Sequence, residues 1–174
     1  FRNLLIVEQP NGDFADTMAR QFLFDAWHVP LLEGLANAGD PRIAEVAAKA
    51  LKEATYHLRR SSEWVVRLGD GTQESHTRMQ RAIDNLWRFT GELIRFDDVD
   101  QVMIEAGIAP EAISLVERWQ THVEKVLKDA TLTRPPADAW MYTGGKTGHH
   151  TEHLGFLLAE MQYLPRAYPD ATVW

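Results

Sequence analysis

The chain has 174 residues, 45% apolar and 25% charged, with a formal net charge of −7 and no cysteine. That balance suits one folded domain over 1–174, and its acidity argues against a nucleic-acid footprint, which needs clustered Lys and Arg. Without cysteine, disulfides, thiolate catalysis and cysteine-based metal sites are excluded, and with no apolar run near the ~20 residues of a membrane span a cytoplasmic protein is expected.

Phe1 to Gln9 is a short mixed segment, and because the chain opens at Phe1-Arg-Asn without a methionine, upstream sequence is expected. Pro10 and Asn11-Gly12 stop regular structure, leaving Asp13 to cap a helix. From Phe14 the apolar positions Phe14, Met18, Phe22, Ala26, Val29, Leu32 and Leu35 recur every three or four residues, which predicts a long helix with Pro30 as a kink. Ala38-Gly-Asp-Pro41 closes that helix and starts another, with Asp40 as N-cap and Pro41 in the first turn. The second helix is expected from about Pro41 to Leu68, with Ile43, Val46, Ala47, Ala50, Ala54, Leu58, Ser61 and Val65 inward and Gly69 past its end.

A third helix carries Met79, Ile83, Leu86, Trp87, Thr90 and Leu93 inward and stops near Arg95. A short helix from Asp97 to Ala106 and a longer one from Pro110 to about Ala130 follow, the latter striped by Ile113, Val116, Trp119, Val123, Val126 and Leu127. Two breaker-rich loops then lead to a last helix over about His149 to Tyr163, ended by Pro165 and Pro169. No stretch alternates as a strand would. The fold class is all-α, with four to five helices of bundle length.

Chemistry has three candidate locations. Glu53 and His57 stand four apart on the second helix, on one face, and Asp25 and His28 lie on or beside the stripe of the first. A short loop joins these helices, so they should pack antiparallel. Ferritin-like di-iron bundles take single Glu residues from two helices and Glu-x-x-His from two others. Here the match is partial: Asp25/His28 has the right step with a shorter acid, Glu53/His57 the right residue types one step too far apart. The groups hold a metal, form a polar layer in which buried charge finds partners, or lie on the surface. The second location is Gly144-Gly-Lys-Thr-Gly-His-His-Thr-Glu-His153. It lacks the first Gly of a phosphate loop, since Trp140 stands there; His150 and His153, or His149 and His153, could hold a metal at helical spacing, though neither pair makes the His-Glu-x-x-His pattern, and a loop-to-helix junction making partner or core contacts is the alternative. The third is the aromatic set: Trp27, Trp64, Trp87 and Trp119 beside apolar stripes, and Trp140-Met-Tyr142 and Tyr163 through Tyr168 to Trp174 on loop and tail, a composition favoured at interfaces.

Several runs resemble a known family: Leu4-Leu-Ile-Val-Glu-Gln-Pro-Asn-Gly, Asp25-Ala-Trp-His-Val, Lys52-Glu-Ala-x-Tyr-His-Leu-Arg, Leu86-Trp-Arg-Phe-Thr, and Thr151-Glu-His-Leu-Gly to Leu158-Ala-Glu-Met-Gln-Tyr-Leu. They are similar to the C subunits of bacterial phenylacetyl-CoA epoxidases (ring 1,2-phenylacetyl-CoA monooxygenases) of aerobic phenylacetate breakdown. The resemblance implies a ferritin-like, metal-free helical bundle whose N-terminal helices lie outside this chain. It implies a non-catalytic structural subunit with no cofactor of its own, supporting a catalytic A subunit that holds the di-iron centre, with electrons from a separate reductase and phenylacetyl-CoA at the shared interface. It makes Asp25, His28, Glu53 and His57 a degenerate metal-site layer, and places substrate contacts at Phe1, Arg2 and Asn3 and at Gln101, Val102 and Met103. An Arg near CoA phosphates is chemically sensible. Two rival readings remain: a self-sufficient di-metal carboxylate oxidase or oxygenase in which the same four residues supply part of a site completed by the missing N-terminal helices, and a helical interaction module unrelated to oxygenation.

Overall fold

The computed structural model describes residues 1–172. Among them every regular element is helical, as a ferritin-like bundle requires: α1 Phe14–Leu35, α2 Pro41–Gly69, α3 Gln73–Trp87, α4 Asp98–Glu105, α5 Ala112–Asp129, α6 Glu152–Met161 and α7 Tyr163–Ala167, with 3-10 turns at Leu5–Glu8, Gly91–Leu93 and Gly145–Thr147. No helix is long and apolar enough to cross a membrane among the described residues.

The helix starts follow from side-chain chemistry. Asp13 accepts the amides of Ala15 and Asp16 while the Asp16 carboxylate returns to the Asp13 amide, so two otherwise orphaned donors are satisfied reciprocally. Asp97 and Asp100 repeat the device at α4. Asp40 caps α2 with Pro41 in the first turn, as its spacing predicts. α1 runs through Pro30 to Leu35, although proline there has no N–H for the Ala26 carbonyl.

α1 is the central helix: it packs against α2, α3 and α5, and Met18, Phe22, Leu23, Ala26, Val29 and Leu32 bury more than one of its sides. Met79, Ile83, Trp119, Val123 and Leu127 close the core from α3 and α5. Each large apolar side chain removed from water there contributes about 1.5–3 kcal/mol. Trp119 adds direction, because its indole N–H donates to the Leu23 carbonyl at 3.0 Å and ties α5 to α1. Its ring also meets Trp87 with centroids 5.6 Å apart.

Several stripe positions lie elsewhere. Val46 is 70% exposed, Ile113 69% and Phe14 46%, and Ile43 is also exposed. Phe14 and Ile113 lie in the first turns of α1 and α5, Ile43 and Val46 in the first two turns of α2; Leu115, not Ile113, leads the buried row of α5. α3 stops at Trp87, short of Arg95, because the Phe89 and Thr90 amides close onto carbonyls only three residues back and the Thr90 hydroxyl caps the Trp87 carbonyl. The last helix starts at Glu152, since residues 144–151 are used in a tertiary junction, and it breaks at Gln162 before α7. Trp140, Tyr163 and Tyr168 are exposed, as their loop and tail positions suggest; Trp174 lies outside the described residues.

Candidate functional site

The acid and histidine layer separates in space. Asp25 on α1 is buried, and its carboxylate is spent on neutral donors: the Gln21 amide at 2.7 Å on one oxygen and the Ser61 hydroxyl of α2 at 3.0 Å on the other. Burial pushes this carboxyl above its ordinary value, opposed by those two hydrogen bonds and by the nearby His57. His28 is half-buried against the rings of Phe24 and Trp27, and its imidazole is pushed below the usual histidine value by burial and then by His57. Glu53 and His57 are both exposed on α2. The expectation of a buried layer of four is therefore corrected: Asp25 is buried and His28 half-buried on α1, while Glu53 and His57 are exposed on α2, although His57 lies one turn from Ser61. No three His, Asp or Glu side chains gather to hold a metal among the described residues, and these four do not fit a di-metal ligand set.

A second polar centre forms where the chain's distant segments meet. Glu92, 3% exposed, accepts the amides of Gly144 at 2.7 Å and Gly145 at 2.8 Å on one oxygen and that of Leu5 at 3.0 Å on the other. The glycine-rich loop thus cradles an anion with its backbone, and the anion is internal. Only glycine fits at 145, because a Cβ there would sit 2.1 Å from the Asn3 carbonyl oxygen. Gly144 takes φ of 129°, a conformation that side chains disfavour.

Glu8 closes the same junction from the other side. Its oxygens accept the Thr151 amide and hydroxyl, both at 2.9 Å, and face His150 Nδ1 at 2.8 Å. Burial alone would raise its carboxyl, but the Thr151 and His150 hydrogen bonds outweigh it and hold the group below its ordinary value. His150 faces a second acceptor, the Phe1 carbonyl, at 2.8 Å from Nε2. Both ring nitrogens can donate only in the imidazolium, and this carbonyl, then Glu8, raises the His150 value. His150 precedes the helix that His153 occupies, so the helical metal-ligand spacing of these histidines does not arise.

This junction walls a cleft. A cavity of about 360 Å³ has an apolar floor of Trp27, Leu31, Leu93, Phe96, Pro110 and Leu115, and a rim of Arg2, Asn3, Asp97, Asp100 and Lys146. The indole N–H of Trp27 is buried without an acceptor. A more polar cavity of about 370 Å³ adjoins it, lined by Glu92, Arg95, Asp98, Thr143 and Thr147, and the two share Phe96, Asp97 and Lys146. Lys146 Nζ is 2.7 Å from the Asp100 carboxylate and donates to the Arg95 carbonyl at 2.9 Å. Arg2 is paired more loosely, 3.8 Å from Asp97. What these groups offer is binding: an apolar floor, and cations held by half-exposed carboxylates that an incoming anion can displace. The size suits part of a small organic ligand.

Of the six substrate-contact candidates, Arg2 and Asn3 stand on this rim, next to an exposed Phe1. Gln101, Val102 and Met103 lie on α4, the helix whose first turn supplies Val99 and Asp100; Gln101 turns to Glu105 at 2.8 Å, Val102 is exposed and Met103 half-buried. Spacing along the chain does not single out Glu8, Glu92, Lys146 and His150 as a set. The paired glycines at 144 and 145 are the one available signal.

A family model described as phenylacetic acid catabolic protein matches residues 1–174. The chain is also 53% identical over 169 residues to the C subunit of the 1,2-phenylacetyl-CoA epoxidase of Escherichia coli (strain K12), an alignment covering 97% of this chain and 68% of that relative.

Proposed function

The chain belongs to the phenylacetic acid catabolic protein family, and from that premise we propose that it is the non-catalytic subunit of a multicomponent phenylacetyl-CoA 1,2-epoxidase. In this reading it supports a catalytic A subunit and contributes Phe1, Arg2, Asn3 and the α4 residues Gln101, Val102 and Met103 to an acyl-CoA site at their interface. O2 activation belongs to the di-iron centre of that partner, and a separate reductase supplies electrons. The observation that carries the reading is the commitment of Asp25, whose two oxygens serve Gln21 and Ser61 while Glu53 and His57 point to the surface. Asp25, through Ser61, then ties α1 to α2, and none of the four groups moves a proton to substrate.

Metal analysis of the full-length protein, made with and without the A subunit, tests this. Iron is expected only in the complex, and Asp25→Asn should leave its iron content unchanged. Stoichiometric iron on this chain alone, lost in Asp25→Asn, would restore the self-sufficient oxygenase.

A further inference from the structure

We propose that α6 is a docking arm whose outward face lies in the groove between α2 and α5 of a second copy of this chain. The arm is anchored at its start, where Thr151 donates its amide and hydroxyl to Glu8. Beyond that point α6 buries Leu154 alone and α7 buries no residue. Phe156, Leu157, Met161, Tyr163 and Leu164 are each more than half exposed along these two helices. A contiguous apolar surface of this kind marks an interface.

Charge and spacing identify the occupant. Glu152, Gly155, Phe156, Ala159 and Glu160 recur at steps of three or four, so they share one face of α6, and all five are exposed. Two carboxylates eight residues apart, about 12 Å along the axis, therefore bracket an apolar centre. The α2/α5 groove is the complement. Its cavity of about 680 Å³ is lined by the apolar Leu58, Val66 and Val126, with Arg59 and Arg67 on the α2 side, again eight residues apart. Each guanidinium is held over an aromatic ring, Arg59 over Tyr56 and Arg67 over Trp64, 5.5 Å from the centroid in both cases. Among the described residues none of Arg59, Arg67, Glu152 and Glu160 has an ion-pair partner. Lys125 and Asp129, which also line the groove, pair with each other, so Glu63 is the one acid there set against the two arginines. Equal spacing lets both Glu–Arg pairs form in a single register, whichever way α6 runs. Gly155 adds no side chain to this face, and a Cβ there would meet nothing within 4 Å, so the backbone of the second copy can approach closely. Each copy carries both the arm and the groove, which lets the contact be made twice about a twofold axis.

Sedimentation velocity on the full-length protein, made without the A subunit, tests this. The parent should self-associate as its concentration rises. Reversing the arm, Glu152→Arg with Glu160→Arg, should raise the Kd of that association roughly tenfold, and reversing the groove, Arg59→Glu with Arg67→Glu, should do the same, since attraction becomes like-charge repulsion. All four substitutions in one chain should bring Kd back to within about threefold of the parent, which a merely structural role for these residues would not do. Phe156→Ser should weaken association by a similar factor with no charge changed. All five positions are exposed in a single copy, so each variant should keep the parent's circular dichroism. A parent that stays monomeric at every concentration, or reversed pairs that do not rescue each other, overturns the proposal. Hydrogen exchange then names the true occupant. Protection of α6 in the monomer would mean that the chain's own further residues cover it, and protection only on adding the A subunit would mean that this partner does; either result also overturns the proposal.

Discussion

Replacing Glu92 by glutamine probes the junction most directly, since it keeps the shape and removes the charge. Glu92 receives three backbone N–H groups, at 2.7, 2.8 and 3.0 Å. An amide can keep its oxygen toward Gly144 and Gly145, but its NH2 then meets the Leu5 N–H donor to donor. That contact, worth about 1.5–3 kcal/mol with a charged acceptor, is lost, and the two that remain fall to about 0.5–1.5 kcal/mol each. The gross loss is therefore about 5 kcal/mol. A neutral amide is cheaper to bury than a carboxylate, which returns part of this and leaves a net loss of about 2–3 kcal/mol. In a chain of 174 residues each kcal/mol moves Tm by about 2–4 °C, so Glu92→Gln should melt about 4–12 °C lower. Urea unfolding followed by circular dichroism should show a lower midpoint at unchanged slope, and the amides of Leu5, Gly144 and Gly145 should lose hydrogen-exchange protection ahead of the α1–α3 core. A variant within about 0.5 kcal/mol of the parent, with those amides still protected, would refute the assignment of Glu92 as the anion that the loop is built around.

The Glu8–His150 pair predicts a pH window. Glu8 lies below its ordinary 4.5, so its contribution is present above that value and lost as pH falls through the lower folded value. His150 lies above its ordinary 6.5, so its contribution is complete below 6.5 and lost as pH rises through the higher folded value. Protection of the Thr151 amide should be greatest between those two values, with His150→Gln removing the alkaline limb; equal protection throughout would show that the pair is not charged as drawn. Gly145→Ala should cost about 1–3 kcal/mol in urea unfolding, the usual penalty of overpacking, because the new methyl meets the Asn3 carbonyl. A neutral result would mean that residues 1–9 are not seated as described.

How much of this was readable in the residues depends on the distance over which each interaction acts. The caps at Asp13 and Asp40 bond two or three residues ahead, and α1 and α2 begin where their spacing predicts; α4 begins one residue later than expected because Asp97 caps it. The rows Met79–Ile83–Leu86 and Trp119–Val123–Val126 were visible for the same reason, helical periodicity being local. Val46 and Ile113 obey the period yet are exposed, because a stripe marks a face without saying where along it a neighbouring helix ends. Glu53 and His57 illustrate the same limit: shared by one face of α2, they are not thereby buried. The cleft was legible only at Arg2 and Asn3, through family resemblance. Its organisers, Glu92 and Glu8, look like any other glutamate in a window of ten residues, and nothing near Lys146 announces Asp100.

The junction also carries a consequence for the order in which the molecule is made. Glu8 meets His150 across 142 residues and Leu5 meets Glu92 across 87, whereas α1 can dock on α2 as soon as the short connection between them has left the ribosome. Closing such long loops costs entropy that no local contact repays in advance. Synthesis therefore completes the helical layers first, with Leu5 and Ile6 able to dock once Glu92 and the core are in place, and leaves Glu8 without its partners until the 144–151 loop emerges. A nascent chain stalled before Gly144 would hold much of its core while lacking Lys146 and Thr147, so the walls of both cavities are finished only after the helices that floor them.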